Sequence, residues 1–163
     1  MNAKQALRGM MDMSWMVLNT YLGDLNDADL MKRPGPGCNH LAWQWGHLIT
    51  AEAGLLNSIC PGAAPELPAG FGDQHSKETT GIDDPAKFYT KQQYLDWGNK
   101  VREATNAALE QSSDTDLDLP APEKYRDMFP TRASIFMLIG SHPMMHAGQV
   151  VPVRRALGKP IVM

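Results

Sequence analysis

The sequence predicts an all-α fold: a four-helix bundle with long connections between helices 2 and 3 and between helices 3 and 4. Three observations carry this. Apolar residues recur at three- and four-residue steps in four segments. Stretches dense in Gly and Pro separate those segments. No segment shows the period-two alternation of a half-buried strand. Four amphipathic helices bury their stripes most economically against one another. A chain of 163 residues without an internal repeat matches one domain with its own core, so residues 1–163 are read as a single domain.

The first helix is expected from about Ala3 to Leu25, with Met11, Trp15, Leu18, Leu22 and Leu25 forming its stripe. "KRPGPGCN" breaks it, and Asn39 is the expected N-cap of the next helix. That second helix runs from about His40 to Ser58, with Leu41, Trp45, Leu48, Leu55 and Ile59 on one face. The 26 residues of "CPGAAPELPAGFGDQHSKETTGIDDP" follow, long enough to suggest a functional lid or a surface excursion. The third helix is expected over about Pro85 to Gln111, with Asp84 as N-cap and Pro85 at the first helical position. Tyr94, Leu95, Val101, Thr105, Ala108 and Leu109 face inward in this reading. After "SSDTDLDLPAPEKYRDMFP" the fourth helix runs from about Thr131 to Leu157. Gly158 stops it, and Arg154 and Arg155 suit the negative end of its dipole.

Composition narrows the function. Net charge is -3, with Lys and Arg scattered, so the surface repels phosphate backbones and nucleic-acid binding is not expected. No apolar run approaches the roughly 20 residues of a membrane span. "MNAKQALRGMMDMSW" does not read as a signal peptide, and a cytoplasmic location is the expectation. Cys38 and Cys60 frame a largely helical stretch on the order of 30 Å long. A disulfide spans only about 4.4–6.8 Å between Cα atoms, so the two are not expected to bridge.

Polar chemistry concentrates in five histidines: His40, His47, His75, His142 and His146. In "GSHPMMHAGQ", His142 and His146 lie about 40° apart on a helical wheel. They share the stripe of Ile135, Leu138, Ile139, Gln149, Val150 and Val153. Two imidazoles buried side by side need partners for their nitrogens. A divalent metal is one solution, since i,i+4 histidines have Cβ atoms about 5–6 Å apart, suited to cis coordination. Backbone carbonyls or buried water are another, and the pattern leaves both open. His47 in "WQWGHLITAE" is the best third ligand, with Gly46 leaving room for metal or substrate. His40 reads as a cap-region residue and His75 as solvated in the long loop. Pro143 removes an N–H from the fourth helix and clashes with the preceding turn, so a kink or break is expected between Ile139 and Pro143. The eleven methionines read as core filler, and the four tryptophans as core or interface anchors.

Together "CNHLAWQWGHLITAE" and "SHPMMHAGQVVPVRRALGKP" resemble the DinB-like (DinB/YfiT) superfamily of metal-dependent proteins. Its marks are a Gly-His on the second helix and a His-x-x-x-His-x-Gly-Gln on the fourth, followed by a basic pair and "LGKP". The resemblance extends end to end in helix order, with specific motifs confined to those two stretches. It implies an up-down-down-up bundle and a divalent metal, zinc or nickel, on His47, His142 and His146, with an open coordination position. It further implies a thiol-dependent transferase or isomerase, acting with a low-molecular-weight thiol on a small electrophile, and a homodimer. In the residues' own terms, three neutral histidines leave the ion its full charge to lower the pKa of a thiol or water. Gln149, one turn beyond His146, is a candidate to orient a ligand or fix an imidazole tautomer. The competing readings are a non-catalytic, metal-stabilised binding or stress-response protein, and a core polar cluster without metal.

Overall fold

Each of the four expected segments forms a helix, and each helix starts beside a side chain that accepts a backbone N–H. In the computed structural model, which describes residues 1–161, α1 spans Ala3–Leu22, α2 Leu41–Ile59, α3 Lys91–Gln111 and α4 Arg132–Ala156. Asn2 with Gln5, Thr90 with Gln93 and Thr131 with Ser134 close reciprocal capping boxes on α1, α3 and α4. Among the described residues there is no strand, only an isolated bridge between Pro120 and Thr131.

α4 packs along α1 and against α2, α2 also packs on α3, and α1 meets α3. The buried side chains form two neighbouring groups. One gathers Leu18, Trp45, Leu48, Phe71, Tyr94 and Val150; the other gathers Met11, Leu56, Leu109, Ile135, Phe136 and Ile139. The expected stripes are therefore the core, with Trp15, Leu95 and Leu138 only half-buried.

Four expectations need correction. Asn39 does not cap α2: the cap is His40, whose Nδ1 accepts the Trp43 N–H at 3.0 Å. α3 begins at Lys91, not Pro85. Asp84 and Pro85 do act as cap and first residue, but of a single 3-10 turn, Pro85–Lys87, after which Phe88 turns extended (φ −126°, ψ 165°). The Thr90–Gln93 box then supplies a second, complete start. Thirdly, the long connection is not a free lid. Phe71 is buried in the core, Trp43 Nε1 donates to the Ser76 carbonyl and the Thr79 hydroxyl, and Arg33 binds Asp83 and the Thr80 carbonyl.

Finally, no helix break occurs at Pro143. α4 is one continuous helix of 25 residues with Pro143 and Pro152 both inside it. An interior proline costs about 3 kcal/mol through one lost hydrogen bond and a ring clash, which a long, well-buried helix outweighs. Pro143 itself is buried against α2, beside Leu48, Glu52 and Leu55. The far end of α4 closes in a Schellman motif: Gly158 (φ 67°) donates to the Arg155 carbonyl and Lys159 to that of Arg154. Arg154 does more than face the dipole. Its buried guanidinium pairs with Asp24 and donates to the Tyr21 and Pro160 carbonyls, tying the end of α4 to the end of α1.

Candidate metal centre

The middle of α2 and the middle of α4 face each other, and at that crossing the structure brings together His47, His142 and His146. One ring nitrogen from each lies within 4.8 Å of the others. The His142 and His146 Nε2 atoms are 3.2 Å apart. Two nitrogens bound to one zinc at about 2.0–2.1 Å and the tetrahedral angle sit about 3.3–3.4 Å apart, so this pair already has the spacing of two ligands. All three residues are half-buried.

The surroundings hold the rings in place. His47 stacks on Trp43 with centroids 5.1 Å apart and planes 8° from parallel. It meets His142 edge-on at 5.2 Å and His146 tilted at 5.6 Å. Behind His146, Leu18, Leu22, Leu41, Leu48 and Val150 make an apolar wall. His146 Nδ1 lies 2.8 Å from Oε1 of Gln44, whose side-chain amide donates to the Asn39 carbonyl at 2.7 Å. Gln44 is 3% exposed.

Burial sets the protonation. It holds His47 below its ordinary value and takes His142 down to about 4, with the neighbouring His47 adding to the effect. Burial, then His142 and His47, take His146 down to about 3. All three are neutral at pH 7, the charge state from which imidazole ligates a metal. The donor set fits a divalent ion, and imidazole ligands suit zinc and nickel among others.

The other named residues fall elsewhere. His40 is the cap described above, and its Nε2 donates to the Ile82 carbonyl. Gln149 is exposed on α4; the glutamine that does reach an imidazole is Gln44. His75 is not solvated but 3% exposed, its ring directly over Gly46. A Cβ on residue 46 would lie 2.2 Å from that ring, so Gly46 makes room for His75 rather than for a metal or substrate. His75 Nδ1 donates to the Phe71 carbonyl at 2.7 Å, and its Nε2 accepts from the Tyr94 hydroxyl at 2.8 Å. Tyr94 Oη in turn accepts the Tyr89 N–H.

Beyond His142, Glu52 and Arg102 form a buried ion pair at 2.8 Å, with the Thr105 hydroxyl donating to the carboxylate. Sequence reasoning missed this pair and Gln44. The available signals were a glutamine between two tryptophans on an apolar helix, three residues before His47, and a glutamate inside an apolar face.

Comparisons with known proteins show the family and the fold. The family model described as the DinB superfamily matches residues 10–150, and the chain belongs to that superfamily. No curated protein matches it. A conserved protein of Enterococcus faecalis, solved by crystallography, shares the fold with a TM-score of 0.72 over 98% of this chain and 99% of its own, at 18% identity.

Proposed function

We propose that His47, His142 and His146 hold a divalent metal ion, zinc or nickel, in a centre that serves a thiol-dependent transferase or isomerase. The observation that carries the metal reading is the 3.2 Å spacing of two neutral imidazole nitrogens with a third donor inside 4.8 Å. A three-histidine set is the donor number of catalytic zinc sites, which keep one position for water or substrate. The ion supplies a Lewis acid that lowers the pKa of a thiol or water. The chain's part is to keep the three imidazoles neutral, aimed at one point and backed by an apolar wall. In this reading the substrates are a low-molecular-weight thiol and a small electrophile. The reading also takes a second copy of the chain as partner, which the exposed methionines of α1 and α4 (Met13, Met16, Met137, Met144 and Met145) would suit.

Elemental analysis and thermal unfolding of protein purified without a histidine tag test the metal. Zinc or nickel is expected near one equivalent. Free metal at ~100 times Kd is expected to add about 2.7 kcal/mol of stability, an increment that His146→Ala abolishes. Less than about a tenth of an equivalent, with no stabilisation by either ion, would sink the metal reading. Turnover with glutathione, bacillithiol or mycothiol and an electrophile then separates an enzyme from a metal-stabilised binding protein. Stabilisation by metal with no metal-dependent turnover on any of the three thiols would favour the second, in which the ion clamps α2 to α4.

A further inference from the structure

We infer that Gln44 is a positioning residue for the metal centre: it locks His146 in the tautomer that carries its proton on Nδ1, leaving the Nε2 lone pair facing His142. The inference rests on the metal reading of the three histidines only for its consequence, since the tautomer itself follows from hydrogen bonds present without a metal.

An amide side chain has one accepting and one donating end, and which is which must be settled by its partners. Gln44 has two partners. One is the Asn39 backbone carbonyl, 2.7 Å from the amide, and a carbonyl can only accept. The amide nitrogen must therefore face Asn39. The flipped arrangement would press two oxygens together at that distance inside the protein. With the nitrogen committed, Oε1 is the atom 2.8 Å from His146 Nδ1, and an amide oxygen cannot donate. The proton in that contact belongs to the imidazole. His146 is held with Nδ1–H donating to Gln44 and with Nε2 bare.

The bare nitrogen is the one beside the second histidine. His146 Nε2 and His142 Nε2 are 3.2 Å apart, and two facing lone pairs at that distance repel. In the metal-free protein His142 must therefore carry its proton on Nε2 and donate it to His146. The two histidines of α4 are unequal as ligands. His146 is already in the ligating tautomer, and His142 must move its proton to Nδ1 before its Nε2 can ligate.

The reach of Gln44 is also fixed from outside. Asn39 precedes the His40 cap, and the same turn is held by the Arg33 guanidinium on the Cys38 carbonyl at 2.7 Å. The amide is thus anchored to backbone rather than to another mobile side chain, which is what makes it able to choose a tautomer. Hydrogen-bond partners of this kind typically change metal affinity by 10–100-fold when lost.

Long-range 1H–15N correlation spectra of the metal-free protein read the tautomers directly. The expected result is Nδ1–H with a pyridine-like Nε2 at His146, and Nε2–H at His142. On addition of zinc alone, His142 is expected to change tautomer and His146 to keep its own. Gln44→Leu is expected to lose the fixed His146 tautomer and to weaken zinc binding 10–100-fold, measured by competition with a chromophoric chelator. An Nε2–H tautomer at His146 in the metal-free wild type would overturn the proposal without any variant, so a Gln44→Leu protein that fails to fold does not protect it. Unchanged zinc affinity in folded Gln44→Leu would overturn it as well. A wild type with the expected tautomers but no affinity for zinc or nickel would instead count against the metal reading and leave the tautomer assignment standing.

Discussion

His75 is the residue whose part in the fold is hardest to guess and easiest to test. Its ring is neutral in the folded protein, held down to about 4 chiefly by burial, whereas the unfolded chain returns it to the ordinary 6.5. The folded state refuses a proton that the unfolded state takes up. Stability is therefore complete above pH 6.5 and is lost as pH falls from 6.5 toward 4, by about 3 kcal/mol from this residue. Urea unfolding of wild type and His75→Phe at pH 7 and pH 4.5 checks this. The variant is expected to be less stable at pH 7, and the gap to shrink on acidification. Parallel pH profiles would rule the effect out. In the sequence His75 stood in a segment rich in Gly, Pro and charge, where a solvated ring was the natural reading. What buries it is the absence of a side chain at Gly46, nearly thirty residues earlier, and a hydroxyl on α3. A pairing between distant segments leaves no local trace. His142 and His146 were legible because one helix carries both, and helical spacing is a local property. His47 was legible as a polar residue in mid-helix, on the edge of an apolar face. Gln44 was not, since its role depends on where Asn39 and His146 meet.

Among elements, α4 carries the largest conflict between local preference and fold. Two prolines lie inside an unbroken helix, so of the kink or break expected at Pro143 the break does not occur; that alternative weighed the missing N–H without the packing. Pro143 fills a tight space against α2, so part of its local cost is offset by burial. Pro152 is exposed and has no such compensation. Pro152→Ala restores a donor to the helix and is expected to stabilise the protein by about 1–2 kcal/mol, after allowing for the freer unfolded chain. Thermal unfolding measures it, and a fall in Tm would show that the ring makes contacts worth more than the hydrogen bond. Helix existence followed from periodicity for all four segments, while boundaries followed only where a cap was the single option. The start of α3 slipped by six residues because Asp84–Pro85 and Thr90–Gln93 are both valid starts. Which one continues depends on whether Phe88 and Tyr89 pack on the core as extended chain, and they do.

At the scale of the molecule, the bundle is held by apolar stripes and pinned by two buried arginines. Arg154 ties α4 to the end of α1, and Arg102 on α3 reaches Glu52 on α2. Burial raises the Glu52 carboxyl and lowers the Arg102 guanidinium, while their mutual attraction opposes both shifts. Removing one partner strands a buried charge. Arg102→Met is expected to lower stability by about 3–5 kcal/mol, and adding Glu52→Leu to recover most of that loss. Denaturant unfolding at constant m-value decides it. A double variant as unstable as the single one would mean that the pair is irreplaceable by apolar packing. The bundle class was readable from four apolar stripes, and the superfamily from two short motifs. The pinning was not, since a glutamate inside an apolar face signals burial but not which arginine, on which helix, will meet it.

The distance along the chain between the two halves of the histidine cluster also has a consequence in time. Gln44 and His146 are 102 residues apart in sequence, and His47 is likewise separated from His142 by the whole of α3 and its flanking connections. The cluster exists only once the last helix has docked on the second, so a half-assembled chain offers zinc two adjacent imidazoles at most. An interaction absent from the folding transition state slows unfolding and leaves folding unchanged. In stopped-flow chevrons, zinc is expected to lower the unfolding arm alone. A faster folding arm would mean instead that α2 and α4 find each other early, with the ion helping to bring them together.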